Sequence, residues 1–281
     1  MNRSTAEIDK ERPTRRSGVV RTGAPRTRLA ARVDRVLSAA LAGEPHVVLN
    51  VTAAELMAEP RPVGSVISAA LDRAGPGLTG QLRVTEAFRR SGLSDQIFNS
   101  LTDPNPIVKA AAARLCGALR LTETVLWIGD LVRDPNPMVR YAALRSLGDM
   151  RGRRAVDALM ASVDQVATHR LAISLSHAAS DLDIETLMRN PPSVKAAVVT
   201  VLACGLRRDA LRLPPLLGIA QDRRWPKQVR LAACKSLGMI GDAGAGDGLS
   251  RLADGDPDPV VTEAASKAWR RLQARTSERS T

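Results

Sequence analysis

The chain has 281 residues, a formal net charge of +12, 44% hydrophobic and only 2% aromatic residues. A core built from Ala, Leu and Val favours close-packed helices over sheets. Three cysteines without a Cys-x-x-Cys exclude a disulfide framework or a zinc site, and no apolar run reaches the ~18 residues of a membrane span.

Residues 1–26 are polar and carry no hydrophobic period, which predicts a disordered basic tail. Residues 1–35 hold ten of the Lys and Arg against four acids, a charge suited to nucleic acid or an acidic membrane surface. The high Arg-to-Lys ratio also fits a GC-rich coding sequence, which weakens that signal. The segment "TRRSGVV" hints at a twin-arginine leader, but "RTGAPRTRLAARVDR" follows where an apolar stretch belongs, so a cytoplasmic chain is expected.

Residues 27–45 form the next element. Leu29, Val33, Val36, Leu37, Ala40 and Leu41 make one helical stripe, expected either to cap a following domain or to lie as an amphipathic helix on a membrane or partner. Residues 46–99 read as degenerate helical repeats. Residues 100–272 are clearly periodic, and 273–281 read as a short disordered tail.

Within 100–272 five segments superpose without gaps from Val108, Val139, Val194, Val229 and Val261, at spacings of 31, 55, 35 and 32 residues. Alanine stands three positions on in all five, as Ala111, Ala142, Ala197, Ala232 and Ala264. Gly117, Gly148 and Gly238 stand nine positions on, where a helix end or a close crossing suits them. The interval of 55 hides one more unit, with its helix at "THRLAISLSHAA". A second apolar segment precedes each of these helices ("DQIFNSL", "TETVLWIGDLV", "RAVDALMASV", "DIETLM", "LPPLLGIA", "GAGDGLSRLA"). The unit is a helix pair of about thirty residues, and the prediction is an all-α solenoid of six to seven pairs.

Three units open with Asp-Pro-x-Pro. Pro106, Pro137 and Pro259 fall at the first helical turn, where a missing N–H costs nothing, and Pro104, Pro135 and Pro257 stop the preceding segment. Asp103, Asp134 and Asp256 are expected to accept from the free N–H groups of the helix start.

The segments "DPNPIVKAAAARLCGAL", "DPNPMVRYAALRSLGDM", "KQVRLAACKSLGMIGD" and "DPDPVVTEAASKAW" resemble the HEAT repeat, in particular the short bacterial, phycobilin-lyase-type kind. The resemblance is specific for fold and nearly silent on function. It implies that the basic residue after each valine (Lys109, Arg140, Lys195, Arg230) pairs with an aspartate of its own or the neighbouring unit, forming a structural ladder with Asp103 and Asp134. Asp256 faces Thr262 in its own unit and is expected to lack a basic partner. Read for function instead, the same ladder would track phosphates.

Cys116, Cys204 and Cys234 fall at core positions and are expected to be inert buried thiols. His169 and His177, eight apart, share a helix face with Asp181 and Asp183 nearby, a weak pattern for a metal or acid–base site. The His-Glu pairs that the resemblance implies for iron-binding, deoxyhypusine-modifying HEAT hydroxylases are missing. Most aromatic residues take apolar periodic positions. Trp225 stands apart, in the corner "DRRWPKQVR" among Arg223, Arg224 and Lys227, and is the expected partner-binding hot spot.

No nucleotide-binding or nucleophile motif appears. The expectation is therefore a non-enzymatic protein–protein scaffold or adaptor without cofactor or small-molecule substrate. The alternative is nucleic-acid binding through the basic tail and one solenoid edge, including a HEAT-like alkylpurine DNA glycosylase. A phycobilin-lyase-like role is a third reading, without a chromophore-handling motif to carry it.

Overall fold

The computed structural model describes residues 27–280 except 45, 76 and 77. The proposed tail at 1–26 lies outside the described residues.

The chain is an all-α solenoid. It opens with α1 (Arg28–Ala42), α2 (Ala53–Ala58), α3 (Pro60–Arg73) and α4 (Leu78–Arg90). Six helix pairs follow: α5 (Leu93–Asn99) with α6 (Pro106–Ala118), α7 (Val125–Leu131) with α8 (Pro137–Met150), and α9 (Arg153–Ala161) with α10 (Thr168–Ala178). Then come α11 (Asp181–Arg189) with α12 (Val194–Arg207), α13 (Leu213–Gln221) with α14 (Lys227–Ile240), and α15 (Gly246–Gly255) with α16 (Pro259–Ser280). The unit hidden in the long interval is α9–α10. The polar tail expected from 273 instead continues α16 to Ser280, because "RLQARTSERS" holds no Gly or Pro to stop it.

The second helices α6, α8, α10, α12, α14 and α16 stack on one another along their length, and α3 and α1 extend the stack at the N-terminal end. The first helices of the pairs touch their neighbours far less. A double layer whose one side packs more closely bends toward that side, so the second helices line the concave face.

Small residues permit the close stacking. A methyl group on Gly117 would come within 2.5 Å of Ser146 Cα, and one on Gly205 within 2.7 Å of Ser236 Cα. Across these seams the Ser146 hydroxyl donates to the Ala113 carbonyl and the Ser236 hydroxyl to the Val201 carbonyl at 2.8 Å.

The seams set the register of the stack. Gly117, Gly148, Gly205 and Gly238 meet Ser146, Ser174, Ser236 and Ala268 of the next helix. By this measure the α12 register begins at Ala196, two residues after the valine chosen from sequence. Val194 is 48% exposed, whereas Val139, Val229 and Val261 are fully buried.

At its N-terminal end α1 buries Ala30, Val33, Leu37 and Ala40 against α3 and α4. The stripe that a membrane-lying helix would need free is therefore consumed in capping the stack.

Candidate functional site

The corners between helices are built in two steps. Asp103, Asp134 and Asp256 accept from the backbone N–H of residues 105, 136 and 258, at 2.7, 2.8 and 3.0 Å. The residue between the prolines is the N-cap. Asn105, Asn136 and Asp258 accept from the N–H of Ile107, Met138 and Val260, each at 2.9 Å. The sequence placed the cap two residues early. The first aspartate holds the turn, and the capping residue it positions satisfies the helix.

The ladder runs between units. Lys109 Nζ meets Asp134 of the next corner at 3.0 Å. Arg230 reaches forward to Asp256 and donates from Nε to the Ala220 carbonyl at 2.9 Å. Asp256 therefore has a basic partner, in the preceding unit, and Thr262 instead donates its hydroxyl to the Asp256 backbone carbonyl at 3.0 Å. Arg140 donates to the carbonyls of Asp134 and Pro135, both at 2.8 Å. Lys195, displaced by the register shift of α12, donates to the Asp164 carbonyl at 3.3 Å.

Burial pushes the Asp256 carboxyl up, but the Arg230 guanidinium and the N–H of Asp258 outweigh it and hold the group below its ordinary value. For Asp134, burial is likewise outweighed by the N–H of Asn136 and by Lys109.

The corner expected to bind a partner is partly tied to its own fold. Trp225 is partly buried and packs on the core. Arg224 pairs with Asp222 at 3.0 Å and Lys227 with Asp258 at 3.1 Å, while Arg223 is exposed. The more exposed aromatics are Trp127, at 47% and edge-on to Phe98, and Tyr141, at 44%.

All three cysteines are buried, and burial pushes the Cys116 thiol up to about 12 and Cys204 and Cys234 up to about 11. They are core residues without nucleophilic character. His169 and His177 do share one exposed face of α10. Asp183 is committed to a capping box with Ser180, and Asp181 to Arg207 and Arg212.

Sequence reasoning missed the concave surface itself. On α12 its outward column is Val198, Leu202 and Leu206, on α14 it is Leu231, Lys235 and Met239, and between His169 and His177 stands Ile173. Ile173 is 45% and Leu206 42% exposed. Toward the C-terminal end a shallow pocket is lined by Leu206 and Met239 together with Arg208, Arg271 and Arg275. Toward the N-terminal end the guanidinium groups of Arg114 and Arg170 lie 5.7 and 5.6 Å from the centre of the Tyr141 ring. Burial, and next the neighbouring Arg61, pull Arg114 below the ordinary guanidinium value. The visible signal was an α12 sequence, "VKAAVVTVLACGLR", that is apolar all round although one face meets water.

Comparison with known proteins decides the family. A model of HEAT repeats matches residues 94–176 and 184–270. The chain belongs to the HEAT-repeat family. The chicken (Gallus gallus) deoxyhypusine hydroxylase is 33% identical over 109 residues, which are 38% of this chain and 36% of that enzyme. The chain thus spans about a third of the length of the curated relative it matches. Among solved structures, human deoxyhypusine hydroxylase in complex with glycerol is similar at 15% identity and a TM-score of 0.35, covering 88% of this chain and 97% of that one. The CpcE–CpcF complex of phycocyanin lyase from Nostoc sp. is similar at 18% identity and a TM-score of 0.32, covering 73% and 86%.

These findings correct one expectation. The chain was read as non-enzymatic, yet the curated relative sharing a third of its residues over the matched stretch is an enzyme. HEAT units of this sequence type therefore occur within a catalyst. The iron site that the hydroxylase resemblance implies does not fit the residues present. His169 is followed by Arg170, His177 by Ala178 and His46 by Val47, and no group of three or more His, Cys, Asp or Glu among the described residues could hold a metal ion. No helix among the described residues is long and apolar enough to cross a membrane.

Proposed function

We propose that this HEAT-repeat chain is an adaptor that holds a protein partner on its concave face. One observation carries the reading. Ile173, Val198, Leu202, Leu206, Leu231 and Met239 form an exposed or half-buried apolar surface across three adjacent inner helices. Isolated exposed apolar residues are ordinary, whereas a contiguous patch rimmed by charge marks a docking surface.

The cations expected to track phosphate support the same reading, because most are already engaged. Lys109 and Arg230 pair with aspartates, and Arg140 and Lys195 donate to backbone carbonyls. Phosphate tracking needs cations available to release counterions from the nucleic acid.

The test is retention from native lysate with and without nuclease treatment, comparing wild type with Leu206→Asp. A defined protein bound by wild type and lost from the variant, with thermal stability unchanged, is the expected result. Retention of nucleic acid alone, or equal retention by both chains, overturns the reading.

A further inference from the structure

The concave face has a middle row that the seams define. Each member stands three residues before a seam glycine or one before the residue facing it. From the N-terminal end the row reads Arg114, Arg145, Ile173, Leu202, Lys235, Lys267. It is two cations, two apolar residues and two cations, one residue from each successive inner helix. Ile173, Lys235 and Lys267 are exposed, and Arg114, Arg145 and Leu202 are half-buried.

The neighbours sharpen this pattern. At the N-terminal end Arg114 and Arg170 flank the Tyr141 ring, with Arg61 close enough to act on Arg114. The nearby acid is Asp149, which pairs with Arg145 at 3.2 Å. At the C-terminal end Lys267 stands with Glu263, Arg270 and Arg271 around a shallow depression. Positive charge exceeds negative at both ends, and the centre is apolar. The basic residues 1–35 carry the wrong sign for such ends.

We propose that the concave groove binds an extended segment of a partner protein, apolar at its centre and acidic at both ends. This rests on the concave-face reading above and adds the chemistry and length of the ligand. Packed helices stand about 9 Å apart, so Arg145 and Lys235, three helices apart, are separated by roughly 27 Å. An extended chain advances about 3.3 Å per residue, so acidic groups about eight residues apart span the two ends. A helical segment would need more than twice as many residues for the same span, at about 1.5 Å each. Pairing at the ends sets orientation and on-rate, and burial at Ile173 and Leu202 supplies affinity.

The experiment is fluorescence anisotropy on the full chain with three synthetic 14-residue peptides. The first carries an apolar centre of Leu and Val between glutamate pairs eight residues apart. The second has the same composition with the glutamates three residues apart, and the third has lysine for glutamate. The first peptide is expected to bind at least tenfold more tightly than the second, the third not at all, and added salt to weaken the first. Ile173→Asp, and separately Arg145→Glu with Lys235→Glu, are expected to weaken binding tenfold or more while the melting temperature holds.

Equal binding of the first two peptides overturns the inference, as does binding of the third or an Ile173→Asp chain that binds like wild type. Displacement of the first peptide at equal affinity by a 12-nucleotide single strand assigns the cations to phosphate and also overturns it. If the spacing preference is absent while benzoylphenylalanine at position 173 still crosslinks to a protein in nuclease-treated lysate, the peptide chemistry fails and the concave-face reading stands. If neither peptide nor crosslink is seen, both fail.

Discussion

Lys109–Asp134 and Arg230–Asp256 are the same rung of the ladder in two units, and they differ in burial and in the cation. The Lys109 side chain is 21% exposed and that of Asp134 7%, against 6% and 3% for Arg230 and Asp256. The lysine makes one ion pair. The planar arginine fork reaches Asp256 and the Ala220 carbonyl together, joining the first helix of its own pair to the next corner. A sequence position that is a half-buried pair at one seam is thus a fully internal closure at another. Removing one partner of a buried pair strands the other charge, which costs far more than losing a pair that water can replace.

The sharpest way to break the comparison is to remove each cation. Arg230→Met is expected to destabilise by about 3 kcal/mol or more in urea unfolding, with most of it recovered in the double variant with Asp256→Leu. A loss no larger than that of Lys109→Met would erase the difference between the rungs. Acid gives the next largest effect. Both aspartates are held below their ordinary values when folded, so their stabilisation is complete above the usual carboxylate range and disappears as pH falls below it. The wild-type melting temperature should therefore fall more steeply below about pH 4 than that of the Arg230→Met, Asp256→Leu chain. Removing the N-cap beside the Lys109–Asp134 rung, Asn136→Ala, is expected to cost about 1 kcal/mol by thermal denaturation. Lys109→Met closes the series at about 0.2–1 kcal/mol, read in the same unfolding experiment.

The repeats were legible because Val, Ala and Gly recur where stacking leaves no choice. Gly117 and Gly148 sit in seams that side chains would block. The α12 register was misread by two because Val198, Leu202 and Leu206 make its outer face as apolar as its inner one, which removes the contrast that periodicity measures. The blurred register and the missed surface thus share one cause. At the corner around Trp225 the sequence shows the neighbours in the chain, but not the core on which the indole packs nor Asp258 beside Lys227. The forward reach of Arg230 to Asp256 was illegible for the same reason, since its partner lies 26 residues on.

The seams are not equally tight, and that has a mechanical consequence. Gly117 and Gly205 bring backbones within a methyl group of each other, and a serine bond locks each crossing. At α10 the approach to Gly148 is looser, at 3.2 Å, and the next crossing has Ser176 in place of glycine. The stack behaves as two stiff springs, α6–α8 and α12–α14, joined by a softer coil at α10. Bending and twisting of the superhelix concentrate at that coil, directly beneath Ile173. A segment lying along the groove would bridge the coil and carry load from one spring to the other, setting the pitch of the whole solenoid.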